Sequence, residues 1–181
     1  MNKHARYYLK PLGIKYLEQS DLEVNNDVFP SRRRDNAKSV QFVDLQVAIH
    51  GAYIKFRQEY GQEATIYTAT EFYGMEGVIK PYPSLYVKTP EGKQYLIELT
   101  DDQHLFIVKK RIRKYIEYFE SDEWDWDTFP IVRIARHSKA DRTKLLAYIE
   151  EKMDDNYLDD SDFEFGITGV PISVKPKSII D

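Results

Sequence analysis

The sequence predicts an α/β fold, a mixed central sheet flanked by helices. Three observations carry this. Apolar residues recur at helical spacing over about 38–60, 104–121 and 139–153. Five segments between them or beside them, at about 64–73, 84–89, 94–100, 129–136 and 163–168, have the lengths and the content of strands. Their order is helix, three strands, helix, strand, helix, strand. A meander followed by a crossover helix and a further strand implies a mixed sheet with helices on its faces.

The N-terminal part is the least regular. Residues 6–18, RYYLKPLGIKYLE, read as a short strand, a Pro11-Leu12-Gly13 turn and a brief helix. Residues 19–38 are polar, with Asn25-Asn26-Asp27, Pro30 and Arg32-Arg33-Arg34, and form the candidate linker. The expected division is an N-terminal segment, 1–38, and a core, 39–181. The first long helix, about 38–60, ends before Gly61. On a wheel of about 100° per residue, Val40, Val43, Val47 and Ile54 share one face, and Phe42, Leu45, Ile49 and Phe56 lie nearly opposite. A helix that is apolar on two sides is covered on two sides. The compact β-branched stripe is assigned to the sheet. The other face then needs the N-terminal segment, through Tyr7, Leu9, Ile14 and Leu17, or a second subunit. Phe42, Leu45, Ile49 and Phe56 are therefore the candidate homodimer or protein contact.

Ala64–Tyr73, rich in Thr, Ile, Tyr and Phe, opens the sheet. Ser84–Thr89 and Gln94–Thr100 flank Thr89-Pro90-Glu91-Gly92-Lys93, a hairpin turn with Pro and Gly where turn geometry favours them. The helix at 104–121 has a core stripe of Leu105, Val108, Ile112, Tyr115 and Phe119, with Lys110, Arg113, Lys114 and Glu117 opposite and Lys109 and Arg111 flanking it. A loop, Ser121–Asp127, places Trp124 and Trp126 between acids, and more often such residues cap a core than form a binding edge. Phe129–Arg136 alternates as a strand. Ser138 is the expected N-cap of the last helix, with Asp141 as its capping-box analogue and Leu145, Leu146, Ile149 and Met153 as its core face.

A chain of 181 residues, 42% hydrophobic, fits one domain with at most a short appendage. No apolar run approaches the roughly 18 residues of a membrane helix. No apolar segment follows the start as in a secretory signal. The absence of cysteine excludes disulfides, thiolate metal sites and cysteine nucleophiles, and fits an expected cytoplasmic location. The net charge of −4 argues against a uniformly basic nucleic-acid binder. The charge is uneven, however. The stretch 150–164 holds Glu150, Glu151, Asp154, Asp155, Asp159, Asp160, Asp162 and Glu164 against Lys152, and without it the chain is slightly basic.

Four segments carry a family resemblance. They are Arg6-Tyr7-Tyr8-Leu9-Lys10-Pro11-Leu12-Gly13-Ile14-Lys15-Tyr16-Leu17, then Asp44-Leu45, then Pro83-Ser84-Leu85-Tyr86-Val87, and finally Tyr95-Leu96-Ile97-Glu98-Leu99 followed by Lys110-Arg111-Ile112-Arg113-Lys114-Tyr115. In this order they resemble the replication-relaxation family of plasmids and conjugative elements. The resemblance implies a winged-helix DNA-binding part followed by a degenerate restriction-endonuclease-like (PD-(D/E)xK) core, so that 1–38 is a winged-helix remnant and 39–181 the endonuclease-like core with an acidic C-terminal part. Too few residues precede Arg6 for a whole winged helix. In the nuclease pattern an Asp after Pro and a Glu-x-Lys on the next strand bind a divalent metal. Here Ser84 stands at the Asp position and Thr100 at the Lys position after Glu98. A hydroxyl is a much weaker ligand for Mg²⁺ than a carboxylate.

The candidate sites follow. Glu98 is a carboxylate in an apolar strand, shortly before Asp101 and Asp102. With Glu71 it is the candidate ligand pair for a hard cation, and Glu71, Glu98 and Asp101 are the candidate catalytic set of a nuclease that would use Mg²⁺. The rival reading of Glu98 is a carboxylate at a sheet edge or paired with a lysine. Lys109, Lys110, Arg111, Arg113 and Lys114 are candidate phosphate contacts, with Tyr115 or Tyr118 beside them, or else a solvated face with Glu117 and Glu120 as partners. Arg32, Arg33 and Arg34 are a second candidate DNA contact or a basic arm. His4, His50, His104 and His137 form no metal-binding pair by spacing and read as ordinary histidines. The expected function is a DNA-associated accessory module without nuclease activity and without a cofactor, with a metal-dependent nuclease and a protein-interaction module as alternatives.

Overall fold

The computed structural model describes residues 9–22, 29, 33, 37–101, 103–126, 128–159 and 163–169. Tyr7, Arg32, Arg34, Asp102 and His4 lie outside them. The chain divides into two compact units, Met1–Asp44 and Leu45–Asp181.

The first unit contains α1, Pro11–Glu18. The expected Pro11-Leu12-Gly13 turn is instead the first turn of this helix. Proline suits the first helical position because its missing N–H would have no partner there anyway. Ile14 is buried, and the helix ends at Gln19, where Ser20 donates its hydroxyl to Leu17 O at 2.8 Å. Arg33 is paired with Glu18 at 2.8 Å.

The second unit is built on one five-stranded sheet, in the order β1 (Thr65–Thr68), β2 (Leu85–Lys88), β3 (Gln94–Leu99), β4 (Ile131–Ala135), β5 (Phe165–Thr168). The first three strands are antiparallel neighbours, and β3, β4 and β5 run parallel. The predicted mixed α/β sheet is therefore present. The β2–β3 turn closes through Thr89 N–H to Lys93 O (2.8 Å) and Gly92 N–H to Thr89 O (2.9 Å), with Gly92 at φ +87°, a conformation open to glycine. β1 is shorter than its composition predicts. Glu71 turns back and accepts from Thr68 N–H (2.7 Å) and from the Thr68 hydroxyl (2.5 Å), so a capped turn replaces the rest of the strand.

Each sheet face has its own core. On one side α2 (Val40–Tyr60) lays Ile49 and Phe56, with Leu45, Ala52, Tyr53 and Tyr60, on Ile66, Leu85, Val87, Tyr95, Ile97, Leu99 and Ala135. On the other side α3 (Leu105–Glu120) and α4 (Lys139–Asp155) pack Val108, Ile112, Tyr115, Leu145, Ile149 and Met153 on Leu96, Val132 and Ile134. This reverses the expected use of α2. The larger side chains meet the sheet, while Val40, Val47 and Ile54 are exposed. Burial scales with apolar area, and a phenylalanine ring filling the space over β2 and β3 removes more surface from water than a valine stripe. Ile49 and Phe56 are consumed inside the fold and Leu45 is partly buried with them, so of the expected homodimer contact through Phe42, Leu45, Ile49 and Phe56 only Phe42 stays exposed.

The helix starts are specific. Ser138 caps α4, its hydroxyl accepting from Asp141 N–H at 3.2 Å. The Asp141 carboxylate, expected to complete a capping box, instead accepts from Arg136 Nε at 2.9 Å. α3 is capped by His104, whose Nδ1 accepts from Phe106 N–H at 3.2 Å. No helix among the described residues is long and apolar enough to cross a membrane.

Candidate functional site

Glu98 lies on the face of β3 covered by α3, and it is 6% exposed. Arg111, from the inner side of α3, donates its Nε to Glu98 Oε1 at 2.6 Å, and the Tyr115 hydroxyl donates to the same oxygen at 2.5 Å. Arg111 Nη2 also donates to the Tyr115 hydroxyl at 3.0 Å, and the guanidinium stands 4.4 Å from the Tyr115 ring centre. Burial opposes the charge on Arg111, but its neighbours Tyr115 and Glu98 outweigh it and hold the guanidinium above its ordinary range. Burial, reinforced by the Glu98 charge, pushes the Tyr115 phenol well up. Glu98 is thus a paired carboxylate whose partner is an arginine rather than a lysine. A helical wheel could have found it, since Arg111 precedes Tyr115 by one turn and adjoins the Val108–Ile112 stripe.

The two positions that depart from the nuclease pattern are also engaged. The Ser84 hydroxyl accepts from Leu99 N–H at 3.1 Å, and the Thr100 hydroxyl donates to Ala135 O at 3.0 Å. Both stitch neighbouring strands together. Asp101 accepts from His137 N–H at 2.5 Å and faces His137 Nδ1 at 3.1 Å. Glu71 is bound to Thr68 in the turn after β1. The three candidate carboxylates therefore have three separate sets of partners, and no group of three His, Asp or Glu side chains suited to a metal ion occurs among the described residues.

Sequence reasoning missed the knot at the ends of β3 and β4. Arg136, 8% exposed, donates to Thr100 O, to Gln103 O (2.8 Å) and to Asp141. Arg142 donates to Arg136 O (2.8 Å) and His137 O (2.5 Å). These arginines satisfy carbonyls that have no place in the sheet ladder, a role with no local sequence signal.

The basic residues of α3 separate into two groups. Arg111 is internal and Tyr115 is fully buried, so neither meets a surface ligand, whereas Tyr118 is mostly buried but lines an open cleft. Lys109 lies over the Tyr148 ring at 4.4 Å. Lys110, Arg113 and Lys114 are exposed and make no ion pair among the described residues. Their spacing of three and four puts them on one outward face. Arg33 is spent on Glu18.

Trp124 is buried in the aromatic cluster with Trp126, Tyr86 and Phe129. Comparisons with family models, with curated proteins and with solved structures gave no match to this chain.

Proposed function

We propose that this chain is a DNA-associated accessory module of a plasmid or conjugative element, acting in replication or transfer, without nuclease activity and without a cofactor. The observation that carries the reading is the division of charge on α3. Its inner face commits Arg111 to Glu98, and its outer face presents Lys110, Arg113 and Lys114, which make no ion pair among the described residues. Exposed cations on one helix face release counterions when they meet phosphates.

The order of helix, antiparallel meander, helix and parallel strand is compatible with the endonuclease-like core that the resemblance implies. Within such a core the absence of nuclease activity is supported by chemistry. A nuclease would need Glu98 free to hold Mg²⁺, but here that carboxylate is committed to Arg111 and Tyr115, and Ser84 and Thr100 supply neither the second carboxylate nor the lysine.

The test is a salt titration of duplex binding. Lys110→Glu with Lys114→Glu should lower affinity and flatten the slope of log K against log salt by about two phosphate contacts' worth. Unchanged affinity and slope, or no binding by the parent protein at low salt, refutes the reading.

A further inference from the structure

An open cleft of about 1060 Å³ adjoins the outer face of α3, between the loop joining β1 to β2 and the loop that follows α3. Tyr73, Tyr82, Lys80, Lys114, Glu123 and Asp125 line it. Tyr82 is stacked on the buried Phe72, with ring centres 5.7 Å apart and planes at 30°, and Phe72 in turn touches Tyr67, Tyr86 and Trp126. The Tyr82 ring is thus a preset platform that loses little freedom on binding. Tyr73 is 74% exposed, and its ring has no partner among the described residues. Lys114 belongs both to the outward row of cations and to the cleft, so a phosphate chain following that row is led to the aromatic wall.

The carboxylates decide which part of a nucleic acid fits. Glu76 also lines the cleft, so three acids face two lysines, and phosphates are repelled from its interior. Acids that repel phosphate accept hydrogen bonds from base amino groups. Gly77, at φ +63°, leaves room for the Asp125 carboxylate, since a Cβ there would stand 3.1 Å from Asp125 Oδ2. A duplex hides ring faces and pairing edges alike, so an aromatic wall with acceptors needs unpaired bases.

We propose that this cleft binds the bases of single-stranded nucleic acid while the α3 cations hold the phosphates, and that it prefers cytosine, which presents an amino group, over thymine, which presents carbonyls to the acids. This rests on the DNA-associated reading and names its ligand class. The experiment is fluorescence anisotropy on the intact chain with labelled oligo-dC, oligo-dT and a mixed-sequence duplex, at mildly alkaline pH and several salt concentrations. Oligo-dC should bind about tenfold tighter than oligo-dT. Tyr73→Ala, a change at an exposed ring checked for folding by circular dichroism, should weaken both single strands about fivefold or more and leave the duplex unchanged. Glu123→Gln with Asp125→Asn should collapse the preference by tightening oligo-dT. If these variants change nothing while Lys110→Glu with Lys114→Glu weakens every ligand, the cleft proposal is overturned and the DNA reading stands. No binding of any oligonucleotide or duplex at low salt overturns both. Binding of oligo-lysine in their place, lost in the carboxylate variants, overturns the proposal in favour of a basic peptide.

Discussion

Removing the Glu98 carboxylate should destabilise the core more than any surface change. In the folded protein Glu98 and Arg111 are 6% and 9% exposed, and one oxygen of Glu98 accepts both from Arg111 at 2.6 Å and from Tyr115 at 2.5 Å. Arg111 Nη1 is already buried without a hydrogen-bond partner. In Glu98→Ala the guanidinium would keep only the Tyr115 hydroxyl, and breaking one side of a buried pair costs about 3–5 kcal/mol. For a chain of this length that is a fall of roughly 6–20 °C in Tm. Urea unfolding followed by tryptophan fluorescence is a suitable assay, because Trp124 and Trp126 pack with the same core as Tyr115. The cause is isolated by a double-mutant cycle with Arg111→Met. The double variant should be less destabilised than the sum of the two single changes by about 1–3 kcal/mol. A Glu98→Ala protein within about 1 kcal/mol of the parent, or a strictly additive cycle, would show that the buried pair does not hold α3 on the sheet as described.

Other outcomes follow from the same contacts. Mg²⁺ or Mn²⁺ should not support cleavage of duplex or single-stranded DNA in a gel assay, and cleavage that disappears in Glu98→Gln would overturn the non-catalytic reading. Phe56→Ala, at a fully buried ring against the sheet, should cost about 3–5 kcal/mol in chemical unfolding. Val47→Asp, on the exposed side of the same helix, should stay within about 0.5 kcal/mol, and the reverse ranking would restore the β-branched stripe as the sheet face. Burial, with help from Glu123 and Asp125, raises the Tyr118 phenol from 10.0 to about 12, and burial with the Glu98 charge also raises Tyr115. A phenol whose folded value is raised keeps its proton when the unfolded chain has lost it. That stability is complete below about pH 10 and declines as pH rises towards 12. Unfolding free energies measured across that window should fall with pH, and a flat or rising profile would contradict the burial of these hydroxyls.

The periodicity of the chain by itself determined the fold class, because helical and strand spacings of apolar residues reflect which sides must leave water. The capped start of α4 at Ser138 and the Gly92 turn were legible for the same local reason, since one residue type meets one backbone need. Short-range chemistry misled at Pro11, where a turn signal opens a helix, and at Thr68, where a carboxylate three residues on ends a strand rich in β-forming residues. The face of α2 that meets the sheet was decided only in three dimensions, because two apolar stripes compete and the space above β2 and β3 accepts the larger side chains. The candidate site divides in the same way. That Glu98 is unusual in an apolar strand was readable, as was the row Lys110, Arg113 and Lys114 on one helical face. That Arg111 turns inward to Glu98, that Asp101 meets His137, and that the loops around Tyr73 and Asp125 form one cleft depended on residues far apart in sequence. Spacing along a helix or strand reports its own faces, but partners across the sheet are chosen by packing and by the need to satisfy buried charge.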